Sequence, residues 1–144
     1  MSTVGNLLNK QKEGIIHAIK PDQLVIEALE LMAKFNIGVV LVMENDHLVG
    51  IFSERDYARK GVIKGRHAAT TQVKEVMTSH VFTVTRQQSI RECMSLMSQH
   101  KFRHLPVVED EQVLGVVSVG DIVTSIISEQ SDHIQYLEQY ISGT

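Results

Sequence analysis

Residues 100–121 read HKFRHLPVVEDEQVLGVVSVGD. A basic group (His100, Lys101, Arg103, His104) leads into two short valine-rich runs, 105–108 and 113–117. They are split by Glu109, Asp110 and Glu111, and the stretch closes on Gly115, Ser118 and Asp121. Short runs of β-branched residues favour pleated strands over helix, and the acidic residues sit where two strands need a tight connection. The order is strand, hairpin, strand, helix start.

The same pattern occurs about 65 positions earlier. Glu44, Gly50, Ser53 and Asp56 fall on Glu109, Gly115, Ser118 and Asp121. Upstream, without a gap, Glu27, Leu31, Met32 and Val42 fall on Glu92, Leu96, Met97 and Val107, and the apolar Val25, Ala28 and Leu29 on Ile90, Cys93 and Met94. Identity and period preserved together mark an internal duplication. A unit of about 60 residues buries a marginal core alone, so the two copies are expected to share one. The expected division is unit one at 14–62, a linker at 63–76, unit two at 77–128 and a helical extension at 129–144.

Composition narrows the class. Of 144 residues, 43% are hydrophobic and 22% charged, an ordinary globular balance that argues against disorder. The net charge of −3 gives no general reason to expect nucleic acid. No apolar run is long enough to span a bilayer, and the first residues, MSTVGNLLNKQKEG, lack a signal-peptide hydrophobic region, so the expected compartment is the cytoplasm. The lone Cys93 replaces Ala28 on an apolar stripe and reads as a packing thiol.

Taken in order, residues 3–12 carry Val4, Leu7 and Leu8 at helical spacing, and Gly14 ends that segment. Residues 15–19 predict a strand, broken at Pro21. The helix predicted over 24–36 places Val25, Ala28, Leu29, Met32 and Phe35 on one core-facing stripe. Strands at 38–42 and 48–52 form a hairpin, and Ser53 opens a helix that Gly61 is expected to end. The linker includes a short helical piece near 73–77. A strand at 81–84 and a helix from Ser89 to about His100 repeat the scheme. From Asp121 helical spacing continues through Val123, Ile126, Ile127, Ile134, Leu137 and Ile141, about twenty residues or 30 Å. That stripe exceeds what one small unit covers and calls for either the N-terminal helix or a second subunit.

Three constellations carry candidate chemistry. In Gly50-x-x-Ser53-x-x-Asp56 and Gly115-x-x-Ser118-x-x-Asp121, serine and acid at a helix start make a capping box, or the carboxylate accepts a sugar diol while serine and free amides meet phosphate. The group His100, Lys101, Arg103, His104 has Phe35, Asn36, Gly38 and Val39 as its counterparts, so the copies agree in scaffold and differ in charge. This is a solvated strand end or an anion site in one copy only. Residues 55–66 hold Arg55, Arg59, Lys60, Lys64 and Arg66 against Asp56, either a solvated face or a polyphosphate patch. Seven scattered histidines show no metal-ligand spacing, and no phosphate-cradling glycine loop or nucleophile elbow is present.

The doubled unit, with FRHLPVVE at 102–109 and GVVSVGD at 115–121, resembles the cystathionine-β-synthase (CBS) domain in a tandem pair, the Bateman module. The resemblance covers about residues 14–128 and implies a mixed α/β (α+β) fold. Two βαββα units would pack sheet to sheet about a pseudo-twofold axis, with adenine nucleotides in the clefts between them. It makes Asp56 and Asp121 the ribose carboxylates, beside Ser53 and Ser118. Phe102, Arg103 and His104 would line the base and phosphate region of the second cleft, and Ile16, His17, Val81 and Phe82 would contact adenine. The run SERDYARK, 53–60, resembles a subgroup of short bacterial two-unit proteins in which basic residues, here Arg55, Arg59 and Lys60, reach phosphates.

The expected function is a non-catalytic, cytoplasmic sensor that binds AMP, ADP, ATP or NAD, works as a homodimer and signals through an effector protein. It needs no metal, catalytic cofactor or membrane. The alternative is a nucleic-acid-binding protein using the basic run 55–66.

Overall fold

The computed structural model describes residues 2–10 and 16–141. The first unit comprises β1 (Ala18–Ile19), α2 (Val25–Phe35), β2 (Val39–Glu44), β3 (His47–Ser53) and α3 (Glu54–Asp56), and it is preceded by α1 (Val4–Lys10). The second comprises α4 (Ile90–His100), β4 (His104–Glu109), β5 (Gln112–Ser118) and α5 (Val119–Ile141). β1 runs parallel to β2 and β2 antiparallel to β3, while β4 and β5 form an antiparallel pair. The mixed α+β architecture with one small sheet per unit is the one expected. Gly14 and Ile15, expected to end the first helix and begin the first strand, lie outside the described residues.

Both hairpins close as the acidic turns demand. Asn45 and Asp46 have φ of 50° and 65°, and Asp110 and Glu111 have 51° and 66°. Two consecutive left-handed residues match the right-handed twist of the strands they join. Each hairpin also carries an irregularity at the same place, between Val42 and Met43 and between Val107 and Val108.

Helix ends follow local chemistry. The Ser89 hydroxyl accepts from the Glu92 amide (3.1 Å), and the Glu92 carboxylate accepts from the Ser89 amide (3.3 Å). These bonds, with one from Gln88, hold the Glu92 carboxyl below its ordinary pKa. Leu24 has no side-chain oxygen, so α2 keeps only half of that arrangement, Glu27 accepting from the Leu24 amide at 2.8 Å. Both helices stop at a left-handed residue, Asn36 and Lys101.

Three expectations are corrected. Residues 81–84 form no strand, only a single parallel bridge from Val84 to Val107. In the first unit the Leu41 amide donates to the His17 carbonyl (3.0 Å). Its counterpart is Pro106, which has no N–H, so the second unit cannot extend that ladder. Gly61 does not end the helix after Ser53. Chain from Tyr57 to Val62 continues as a π-helical turn, with buried Gly61 under the Tyr57 ring, where a Cβ would come within 2.8 Å of Cδ1. Phe35 leaves the core stripe: Val25, Ala28 and Met32 are buried, but Phe35 is exposed.

A fourth expectation, one core shared by the two copies, is also corrected: the described residues form two cores, which show how the halves depend on each other. One gathers Ile19, Val25, Ala28, Met32, Val40, Val42 and Phe52 around Val73 and Val76; the other gathers Val84, Ile90, Cys93, Met97, Leu105, Val107, Val117 and Ile122 around Val4 and Leu7. Each unit is thus completed by the segment that precedes the other. Backbone bonds repeat the exchange: Val73 and Lys74 donate to the Gln23 and Pro21 carbonyls, and Val4 and Gly5 donate to the equivalent Gln88 and Arg86 carbonyls. Gly50 and Gly115 permit the close approach. A Cβ on Gly50 would lie 2.5 Å from Met77 Sδ and 3.0 Å from the Thr78 carbonyl, and one on Gly115 would lie 2.9 Å from Leu8 Cδ2.

Candidate functional site

Strand register assembles the site residues at one end of each sheet. Ser53 pairs with Val39, and β1 runs parallel to β2 with Ala18 beside Leu41, so continuing that register sets Ile16 level with Val39 and Ser53. In the second unit Ser118 pairs with His104, and the Val84–Val107 bridge sets Val81 level with that pair. The next turn of chain brings Asp56 and Asp121. Beside each sheet end the first helix residue donates back to the β2 or β4 lead-in, Glu54 to the Gly38 carbonyl (3.1 Å) and Val119 to the Arg103 carbonyl (2.9 Å).

Both serine–aspartate pairs form capping boxes. The Ser53 amide donates to Asp56 Oδ2 (3.0 Å) and the Asp56 amide to Ser53 Oγ (3.1 Å); in the second unit the matching distances are both 3.0 Å. Capping and ligand binding are compatible in principle, because an ionised carboxylate offers about four lone-pair sites. Asp56 uses them heavily. Oδ2 also accepts from the Ser53 hydroxyl (3.1 Å), while Oδ1 accepts from the Thr78 hydroxyl (3.0 Å) and pairs with Lys60 Nζ (3.5 Å). Lys60 Nζ further donates to the Met77 carbonyl at 3.3 Å.

Asp121 has a different neighbourhood. His104, the counterpart of Val39, lies close enough for the Asp121 charge to stabilise its protonated form. Burial, the larger effect, holds the His104 pKa below its ordinary value, and Arg103 pushes the same way. The positions equivalent to Lys60 and Arg59 are Ser125 and Thr124, and Ser125 is buried.

An aromatic pair accompanies each sheet end. His17 lies against Phe35 with ring centroids 4.3 Å apart, and Phe82 against His100 at the same 4.3 Å. Phe102 joins the second pair at 5.3 Å from Phe82. Phe35 was not among the predicted site residues, and His100 was named only within the basic group, not as a ring partner of Phe82. The signal was present, because the repeat offset maps His17 to Phe82 and Phe35 to His100, exchanging ring types while keeping the pair. Thr78 was also missed: it arrives from the start of the second unit, where no motif marks it.

The basic run divides. Arg55, Arg59 and Lys64 are exposed, but Lys60 is bound to Asp56, and Arg66 Nη1 donates to the Glu75 carbonyl at 2.7 Å. A groove of about 410 Å³ beside α1, lined by Thr3, Gly5, Asn6, Asn9, Arg86 and Gln87, includes none of the predicted residues. Among the described residues no cluster of three or more histidine, cysteine or carboxylate side chains could hold a metal ion, and no helix is long and apolar enough to cross a membrane. Cys93 is buried, and burial pushes its thiol pKa up to about 11, as suits packing rather than attack.

Comparison with known proteins accords with this geometry. The family model described as CBS domain matches residues 14–62 and 73–128. The CBS domain-containing protein YhcV of Bacillus subtilis is 31% identical over 131 residues, 91% of this chain and 90% of its own length. The mitochondrial CBS domain-containing protein CBSX3 of Arabidopsis thaliana is 36% identical over 127 residues; the match takes in 85% of this chain and 62% of that protein. A solved structure of a protein with CBS domains from Burkholderia ambifaria MC40-6 superposes with a TM-score of 0.86 at 40% identity, covering 90% and 96% of the two chains. More distant neighbours share the fold: CBSX2, solved with AMP (TM-score 0.73, 24% identity), and the MJ0100 domain pair, solved with 5-methylthioadenosine and S-adenosyl-L-methionine (0.77, 22%). With its duplicated sheet ends, paired serine–aspartate motifs and exchanged leading segments, this chain belongs to the CBS-domain family and carries two such domains in tandem.

Proposed function

We propose that the chain is a regulatory module that binds an adenine nucleotide, AMP, ADP, ATP or a dinucleotide such as NAD, and passes the bound state to an effector protein. One observation carries this reading: each unit sets a serine–aspartate capping box and an aromatic pair at the same end of its sheet. A diol-accepting carboxylate with a ring platform suits an adenosine, and the adenosine-type ligands of CBSX2 and MJ0100 lend support. Ribose falls to Asp56 and Asp121 with Ser53 and Ser118. Ile16, His17, Val81, Phe82 and Phe102 take the base, and Arg103 and His104, with Arg55, Arg59 and Lys60, take phosphate.

No catalytic step is assigned, since signalling by population shift needs only differential affinity for two packings. The module acts as a homodimer in the cytoplasm, where the lone buried Cys93 stays reduced.

Thermal unfolding with AMP, ATP, NAD and single-stranded RNA at two salt concentrations tests the assignment. A nucleotide at 100 times its dissociation constant adds about 2.7 kcal/mol of stability, read as a raised Tm. Salt-sensitive stabilisation by RNA with no nucleotide response would instead favour the exposed Arg55, Arg59 and Lys64 as a nucleic-acid surface.

A further inference from the structure

Helix α5 docks on its own unit by one face only. Ile122 and Ser125 are buried and Ile126 is half-buried, but from Ile127 onward every described residue of the helix is exposed. Its apolar residues nevertheless keep a pattern. Ile127, Ile134 and Ile141 repeat every seven residues, with Val123 before them and Gln130 and Leu137 between them in the alternating four-and-three spacing of a heptad. Exposure is 57%, 54% and 81% at the three isoleucines, and 41% at Leu137. At 3.6 residues per turn this stripe is centred about 100° around the helix from the buried face, so docking on the domain leaves it open.

Two occupants suit such a stripe, the N-terminal helix or a second subunit, and the structure seats the first elsewhere. Val4 and Leu7 of α1 are buried in the second unit's core, and Ser2 Oγ donates to Glu129, off the stripe. We infer that α5 pairs with α5 of a second copy as a parallel, two-stranded coiled coil whose seam is Val123, Ile127, Gln130, Ile134, Leu137 and Ile141. The inference rests on the homodimeric reading above and is independent of the ligand.

Side-chain chemistry selects the parallel arrangement. Isoleucine at the a positions 127, 134 and 141, with leucine at the d position 137, follows the pattern of parallel dimers. Parallel pairing sets Gln130 against its own copy, so the one polar seam residue meets an amide. It also sets His133 at a g position opposite Glu138 of the partner subunit at e, a complementary pair. Antiparallel pairing centred on the same segment puts Gln130 against isoleucine and His133 against its own copy.

Size-exclusion chromatography with light scattering of the full chain, wild type and Ile134→Asp, reads the interface. Because residue 134 is outside the core, the variant should keep the wild-type circular dichroism spectrum and Tm of the domain while its mass falls from dimer to monomer. Orientation is read by oxidation of Leu137→Cys in a Cys93→Ala background, where alanine matches Ala28 of the first unit. In parallel packing the introduced thiols face each other and should cross-link nearly completely; in the antiparallel pair that sets Gln130 against Ile134 they lie about 15 Å apart along the helix axis. A monomeric wild type overturns both this proposal and the homodimeric reading. A dimer that survives Ile134→Asp overturns this surface alone, and a dimer lost with Ile134→Asp whose Leu137→Cys form does not cross-link overturns the parallel arrangement.

Discussion

The two sheet ends share a backbone and divide in what surrounds the carboxylate. At the first, Asp56 is met by two donors from Ser53, by Thr78 and by Lys60, so its acceptor capacity is taken up within the chain. At the second, the residue facing Ser118 is an imidazole, flanked by Arg103, and the lysine position has become a buried serine. The duplicated scaffold has thus diverged in its side chains: in one copy Asp56 ties Thr78 and Lys60 to the sheet end, and in the other His104 and Arg103 stand beside the aspartate. Because His104 and Arg103 stand beside Asp121 where the first unit has Val39 and Gly38, nucleotide affinity is expected to reside mainly at the second sheet end.

The largest effects concern the exchanged segments on which both sheet ends depend. Gly50→Ala would drive a methyl against the Thr78 backbone, and we predict a loss of about 2 kcal/mol in urea-monitored unfolding. Gly115→Ala meets only the end of the Leu8 side chain and should cost about 1 kcal/mol. Equal losses would mean that the two leaders pack with equal rigidity.

Next come the carboxylates. Asp121→Ala should weaken nucleotide binding at least about tenfold, or 1.4 kcal/mol by titration calorimetry, whereas Asp56→Ala should weaken it less than about threefold. Asp56→Ala is also expected to lower stability, since it removes a cap worth about 1 kcal/mol together with the Thr78 and Lys60 contacts. If Asp56→Ala costs more affinity than Asp121→Ala, the division of labour proposed for the two copies is wrong.

The smallest effect is a pH dependence at His104. Its folded pKa lies below the ordinary 6.5, so the unfolded chain binds the proton more readily. The corresponding stability is present above about pH 6.5 and is lost as pH falls towards the folded pKa. His104→Val, which restores the residue type of the first unit, should flatten the stability profile below pH 6.5; an unchanged profile would assign that slope to other groups.

Much of this was legible in the residues. Asn45–Asp46 and Asp110–Glu111 announce their hairpins, Ser89 its helix, and the repeat aligns the site residues. What escaped depends on contacts beyond the repeat period. Val4 and Leu7 resemble Val73 and Val76 only as apolar spacing, and their offset differs from that of the units, so the exchange of leading segments was read as a linker and a loose helix. The strand expected at 81–84 failed because one missing N–H, at Pro106, acts on a neighbour distant in sequence. The π-helical turn depends on Tyr57 packing over Gly61, and glycine by itself reads as a stop. The bracing of Asp56 needs Thr78, which no motif marks.

A co-crystal structure of the chain with AMP addresses the central claim most directly. The account predicts density at the end of the second sheet, with the ribose hydroxyls on Asp121, adenine near Val81 and Phe82, and phosphate towards Arg103. Saturating AMP with both sheet ends empty, and Asp121 engaged only with the start of its own helix, would contradict it.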